Sequence, residues 1–266
     1  MSMTAYDRVR AARSQDRPTG LDYIQNLFDN FIELHGDRYF ADDPSIVAGV
    51  AMLDDQPVTV IAMEKGHTTK ERVFRNFGAP NPEGYRKALR LMKQAEKFSR
   101  PVICLVDTAG AFCGIGAEER GQGRAIADNL MEMMTLGTPI LTILIGEGGS
   151  GGALALGVAD EVWMMENAIY SVISPEGCAS ILWKDADKAA DAAECLKLTA
   201  EDALQFGIID RIIAEGDQDF TRTFAQIKQD MLNFLTKHKE MEIEKLKEQR
   251  YQRFRKIGTS YLSDAE

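Results

Sequence analysis

The chain has 266 residues, 45% of them apolar and 27% charged, which is ordinary globular usage, enough to bury a sizeable core and unlike a disordered protein. Its formal net charge of −10 argues against a general nucleic-acid binder and against adsorption to anionic membranes. Residues 1–20 are polar, with Arg8, Arg10, Arg13 and Arg17, and lack the apolar stretch of a signal peptide. No run approaches the ~18 apolar residues of a membrane span, so a cytoplasmic protein is expected.

In chain order, Leu21, Ile24, Leu27, Phe28, Phe31 and Ile32 recur at helical spacing and predict a helix over residues 21–34. Residues 46–53 and 58–65 read as strands, joined by turn chemistry at Asp54-Asp55-Gln56-Pro57. Residues 66–82 read as a polar loop, and Lys65, Lys70, Arg72 and Arg75 form a basic set, either solvated or facing phosphates. Helices and strands then alternate. A helix runs from Glu83 to about Ser99, a strand covers 102–106 and a loop 107–120. A second helix covers 122–136 and a second strand 140–145. Unbroken Val/Ile/Leu runs of this kind suit strands covered on both faces, and the order implies an α/β fold with right-handed crossovers. Short strands over 161–165 and 168–173, a helix over 200–206, a strand over 208–213 and one long helix over about 220–256 complete the reading. With no linker and no internal repeat, a single domain over residues 1–266 is expected, with its catalytic core over about 21–215 and the C-terminal helix over about 219–256.

Cys104, Cys113, Cys178 and Cys195 are widely spaced without a C-x-x-C pair, and His35, His67 and His238 are scattered. They read as reduced thiols and as no metal centre. The chemistry concentrates in Gly146-Glu147-Gly148-Gly149-Ser150-Gly151-Gly152, which follows a strand and opens a helix. Glycines admit close approach, and a helix start presents unpaired amides, so an anion or oxyanion site competes with a mere tight turn. Gly146-x-Gly148-x-x-Gly151, with Glu166 about 20 residues on, fits a dinucleotide fingerprint. The crossover of about nine residues is short for one. Gly148-x-Ser150-x-Gly152 fits a hydrolase elbow, but only His238 follows, so Ser150 reads as a small turn residue. A P-loop is excluded because no Gly-Lys-Ser/Thr occurs. A second glycine-rich loop, Asp107-Thr108-Ala109-Gly110-Ala111-Phe112-Cys113-Gly114-Ile115-Gly116, also follows a strand. Two such loops at the carboxyl edge of a parallel sheet can each direct an amide at one oxygen.

Four further stretches, with the glycine cluster, carry a resemblance. They are residues 31–38 (Phe-Ile-Glu-Leu-His-Gly-Asp-Arg), residues 116–122 (Gly-Ala-Glu-Glu-Arg-Gly-Gln), residues 170–184 around Ser174-Pro175-Glu176-Gly177-Cys178, and Leu198-Thr199-Ala200-Glu201-Asp202-Ala203 with Gly207-Ile208-Ile209-Asp210. Over about residues 20–213 the chain resembles the alpha subunits of bacterial acetyl-coenzyme A carboxylase carboxyltransferase. The resemblance implies a crotonase (ClpP/crotonase-like) fold of repeated ββα units with helical extensions at both ends. It implies carboxyl transfer from carboxybiotin, presented in trans on the biotin carboxyl carrier protein, to acetyl-CoA, giving malonyl-CoA for fatty acid biosynthesis. The implied partners are a zinc-ribbon-bearing beta subunit, expected as alpha2beta2, the carrier protein, and the biotin carboxylase that uses ATP. No metal is expected on this chain. The biotin anion formed as CO2 leaves carboxybiotin would itself deprotonate the acetyl methyl group, before the carboxyl group is transferred to it.

Carried over, the amides of Gly151 and Gly152 form the biotin oxyanion hole, with Gly110 and Ala111 as weaker contributors. Gly148, Gly149, Arg120 and Glu176 are expected to bind substrate. For Arg120, with Glu118 and Glu119, capping of the next helix competes with coenzyme contact. For Glu176, a helix-start carboxylate competes with orientation of the active-site loop. Cys178 and Met164 read as core. Ala109 and Cys113 replace prolines usual in that loop, which bears on its rigidity. A carboxyltransferase or decarboxylase for another acyl-CoA is the alternative.

Overall fold

The computed structural model describes residues 3–216 and 220–259; residue 219, where the C-terminal helix was expected to begin, lies outside them. Helix α1 (Ala5–Ala12) is started by a capping box: Thr4 Oγ1 accepts the Asp7 amide, and Asp7 accepts the Thr4 amide. Helix α2 (Gly20–Leu27) begins with Asp22 accepting the amide of Thr19. The helix expected over residues 21–34 stops there. Asp29–Glu33 is strand β1, antiparallel to β2 (Ile46–Leu53). Gly49 of β2 is the physical reason: a Cβ there would stand 2.0 Å from the Ile32 carbonyl oxygen, so its absence lets β1 close onto the sheet edge.

Strand β3 (Gln56–Met63) pairs antiparallel with β2. The expected polar loop after it contains helix α3 (Thr69–Phe74), capped by Thr68 and Glu71, and a 3-10 turn at Asn76–Gly78. Then come α4 (Pro82–Lys97), β4 (Val102–Thr108), the five-residue α5 (Ile115–Glu119) inside the second expected loop, and α6 (Gln122–Thr135). Strand β5 (Ile140–Gly149) runs on through the first glycines, and α7 (Ser150–Leu154) has only five residues. Beyond it lie β6 (Glu161–Met165), β7 (Ile169–Ser171), α8 (Pro175–Trp183), α9 (Ala189–Leu196), α10 (Ala200–Gln205) and β8 (Arg211–Ile213), so two of the late strands are shorter than expected.

One sheet of eight strands in the order β1-β2-β3-β4-β5-β6-β8 forms the frame, with β7 joining β5 beyond the end of β6. The β1-β2-β3 pairs are antiparallel and the remainder parallel. All of β4 is buried, as is β5 up to its last residue, which requires cover on both faces.

The C-terminal segment is two helices, α11 (Phe220–Lys239) and α12 (Ile243–Arg255), not one. The turn between them lets α12 fold back and bury Arg250. The Arg250 guanidinium donates to the carbonyls of Met133, Leu136 and Thr138, at and just beyond the C-terminus of α6, at 2.7, 2.7 and 2.9 Å. Two further bonds, at 2.9 and 2.8 Å, go to Asp160. A cation there satisfies carbonyls that the helix leaves unpaired and complements its dipole. Arg250→Met would strand a buried carboxylate, so we expect a loss of about 3–5 kcal/mol, read as a fall in the urea midpoint.

Candidate active site

Strands β4 and β5 are parallel neighbours, so the loop after β4 and the turn into α7 leave the same edge of the sheet. They touch backbone to backbone. A Cβ on Gly149 would lie 2.1 Å from the Ala109 carbonyl oxygen, and one on Gly152 would lie 2.5 Å from the Ala111 amide nitrogen. Gly151 differs: a Cβ there meets nothing nearer than Ile126, at 3.8 Å. Gly110 and Ala111 therefore sit directly against Gly152, but the Gly110 amide, expected as a weaker donor, is taken by Thr108 Oγ1. Gly148 and Gly149 are the last residues of β5; the first accommodates Tyr170, the second Ala109.

The strand turns into α7 at Ser150, whose φ of 49° is left-handed, a strain of about 1–3 kcal/mol for a residue with a Cβ. Gly151 and Gly152 fall in the first turn of α7, where a helix supplies its own amides with no acceptor. With five residues the helix adds little dipole, so what it offers is these local N–H groups. Beside them opens a cavity of about 460 Å³, lined by Ser150, Gly151, Leu154, Tyr170, Val172 and, from the C-terminal segment, Phe254.

The loop after β4 is firmly tied despite lacking prolines at Ala109 and Cys113. Thr108 Oγ1 donates to the Gly110 carbonyl at 2.8 Å and accepts its amide at 3.1 Å. The Phe112 amide donates to Pro80, and the buried Gln122 amide group donates to the carbonyls of both Pro80 and Phe112, at 2.8 and 2.9 Å. Neither Thr108 nor Gln122 was singled out from sequence.

The other expected residues lie in structural partnerships. Arg120 forks onto Glu83 at 3.1 and 2.9 Å and stacks over Phe40. It does not cap α6, whose N-cap is Gly121 in the left-handed conformation. Glu176 stands in the first turn of α8, as a helix-start carboxylate, and accepts from Arg13 at 2.7 Å. Arg13 also donates to Glu147 at 2.8 Å, and Glu147 accepts from Lys65 at 2.9 Å. Lys65 is thus largely buried in an ion chain rather than part of a basic face, while Arg72 and Arg75 donate to the carbonyls of Gly66 and Pro44. Met164 and Cys178 are buried as expected.

The rival patterns fail on geometry. Of the fingerprint glycines, Gly146 is filled by Asp107 and Gly148 by Leu144 and Tyr170, so only Gly151 faces open space, and Glu166 accepts from the Glu215 amide and pairs with Arg8. His238, the partner the hydrolase pattern requires, is buried in α11 with its ring nitrogen on the Phe234 carbonyl. Among the described residues there is no cluster of three metal-ligating side chains, and no helix is long and apolar enough to cross a membrane.

This architecture is shared by carboxyltransferases of the crotonase fold. The chain superposes on the transcarboxylase 12S subunit crystallised with methylmalonyl-coenzyme A and methylmalonic acid, with a TM-score of 0.69 at 19% identity, covering 88% of this chain and 45% of that one. A Pseudomonas malonate decarboxylase chain, from a hetero-tetramer with coenzyme A, gives 0.65 at 17% identity, covering 83% and 88%. Residues 1–258 match the family described as acetyl co-enzyme A carboxylase carboxyltransferase-like, and the chain belongs to that family. It is 61% identical over 256 residues to the acetyl-coenzyme A carboxylase carboxyl transferase subunit alpha of Ruminiclostridium cellulolyticum, covering 96% of this chain and 98% of that protein. It is 58% identical over 260 residues to the fused beta/alpha protein of Natranaerobius thermophilus, covering 96% of this chain and 43% of that longer one.

Two expectations follow from the site. Gly152→Ala forces a side chain into backbone and should lower stability by about 1–3 kcal/mol, whereas Gly151→Ala should leave the melting temperature nearly unchanged. The second concerns acid. Burial would raise the carboxyls of Glu147 and Glu215, but Lys65 and Arg13 outweigh it for the first and Arg17 for the second, so both are held below their usual 4.5. Their stabilisation is fully present above that pH and is lost as pH falls through the lower native values. Thermal melting against pH should therefore be flat near neutrality and fall steeply below about pH 4.5.

Proposed function

We propose that this chain is the alpha subunit of an acetyl-CoA carboxylase carboxyltransferase, moving the carboxyl group of carboxybiotin to acetyl-CoA to form malonyl-CoA. The observation that carries the reading is the backbone contact of Gly152 with Gly110 and Ala111, beside a cavity lined by Gly151. We assign the amides of Gly151 and Gly152 to the carbonyl oxygen of biotin's ureido ring, presented by the carrier protein; their place beside the cavity and the family membership support this.

When the carboxyl group departs, negative charge grows on that oxygen. Amides fixed in place before reaction stabilise the charge more than they stabilise the neutral carbonyl, which lowers the barrier. Gly151 and Gly152 supply these donors; Ala111 stands beside them as a secondary one. Among the described residues that line the cavity there is no carboxylate or histidine, which suits a reaction in which the biotin anion left behind by the departing carboxyl group accepts the proton. The chain does not work alone in this reading. Val172 at the cavity edge and Ile181 and Leu182 at the end of α8 are 75%, 62% and 64% exposed, apolar surface of the kind another chain covers. The beta subunit is assigned that cover, in an alpha2beta2 assembly in the cytoplasm, served by the carrier protein and biotin carboxylase.

Reconstitution tests this. The isolated chain should be inactive, and beta subunit plus carboxylated carrier should give malonyl-CoA; turnover by the isolated chain would overturn the division of labour. Gly151→Val should reduce transfer by about 10²–10³-fold with the fold intact. A panel of acyl-CoAs in the assembled enzyme separates acetyl-CoA from propionyl- or methylmalonyl-CoA as substrate.

A further inference from the structure

The ladder between β4 and β5 is irregular just below the two loops. Val106 pairs with Leu144 but Thr108 pairs with Gly148, so the single residue Asp107 of β4 faces Ile145, Gly146 and Glu147 of β5. A bulge of this size bends its strand and deprives backbone groups of ladder partners. Here side chains replace them. The Glu147 amide donates to Asp107 Oδ1 at 2.8 Å, and the Ile145 carbonyl accepts from Arg17 Nε at 2.7 Å. Gly146 lies between, where a Cβ would stand 2.4 Å from the same Asp107 oxygen.

Both supports are themselves held. Lys65 Nζ lies 2.5 Å from Asp107 Oδ1 and 2.9 Å from Glu147 Oε2. The other two guanidinium nitrogens of Arg17 fork onto Glu215 at 2.8 and 2.7 Å, and Glu215 accepts the Asn167 amide. Asp107 and Arg17 are 5% and 8% exposed, so water is a poor substitute for either. They line a separate pocket of about 250 Å³ and not the cavity beside Gly151. Any influence on chemistry therefore passes through the backbone.

We propose that Asp107 and Arg17 are positioning residues, which hold the bulge in β5 from two sides and so set the direction in which residues 148–152 leave the sheet and aim their amides. The identity of the oxygen at which those amides aim rests on the carboxyl-transfer reading; the mechanical role of the bulge does not.

The test uses the assembled enzyme with beta subunit and carboxylated carrier. Asp107→Ala should lower kcat by about 10²-fold, the cost of a misplaced catalytic group, with the KM values for carrier and acetyl-CoA little changed. Asp107→Asn keeps an oxygen for the Glu147 amide and should recover most of that loss. Hydrogen exchange in the isolated chain should quicken over residues 145–152 in the Ala variant and not in the Asn variant. A folded Ala variant with wild-type kcat, a loss that Asn does not recover, or unchanged exchange would each overturn the proposal. Should Asp107→Ala fail to fold, Arg17→Gln decides: it leaves the Asp107 bond in place and a donor for Glu215, and an unchanged kcat refutes the role. If the wild-type assembly transfers no carboxyl group, the functional reading fails by itself, and the exchange comparison still judges the bulge.

Discussion

The constraint on which the rest depends is the contact between two backbones at the carboxyl edge of the sheet. The two chains approach more closely there than any Cβ permits, with Gly149 and Gly152 against residues 109–111. Much of the surrounding structure keeps that contact in place. Thr108 and Gln122 fix the first loop, the bulge in β5 directs the second, and α7 starts immediately beyond it.

Charge is used in the interior in a consistent way. Arg17 and Arg250 each combine a carboxylate partner with backbone carbonyls that strand or helix geometry leaves unpaired. Buried pairs of this kind add little net stability compared with apolar replacements, but breaking one is costly. They define where segments sit. Arg17 places the N-terminal segment against the end of β5, and Arg250 places α12, whose neighbouring residues wall the cavity beside Gly151.

Much of the fold was legible from residue patterns. Strands β2 to β6 stand out as apolar runs because both faces are covered, and the paired loops and the glycine cluster leave one edge of the sheet, as read from the sequence. Strand β1 was hidden because the helical spacing of α2 continues by coincidence through Phe28, Phe31 and Ile32, and because Ile32, 61% exposed, shows no strand alternation. The break between α11 and α12 was hidden because no glycine or proline stands at residues 240–242; what separates the helices is the distant destination of Arg250. The glycines were read as space for a ligand, yet Gly146, Gly149 and Gly152 make space for the protein, and Gly151 alone of the cluster's last three glycines faces open volume. Lys65, Asp107, Glu147 and Arg13 bear no local pattern at all. They are brought together by strand order, not by spacing.

The staples on the N-terminal segment have a consequence for how the protein is made. Arg17 leaves the ribosome well before its carbonyl partner, Ile145, and its carboxylate partner, Glu215. At synthesis rates of about 5–20 residues per second, Arg17 waits on the order of ten seconds or more for the second of these. Contacts so distant in sequence form late and slow folding. The support of the bulge is therefore completed only after β8 has emerged, and a nascent fragment ending before β8 would carry the glycine cluster without the carboxylate that holds Arg17 in place.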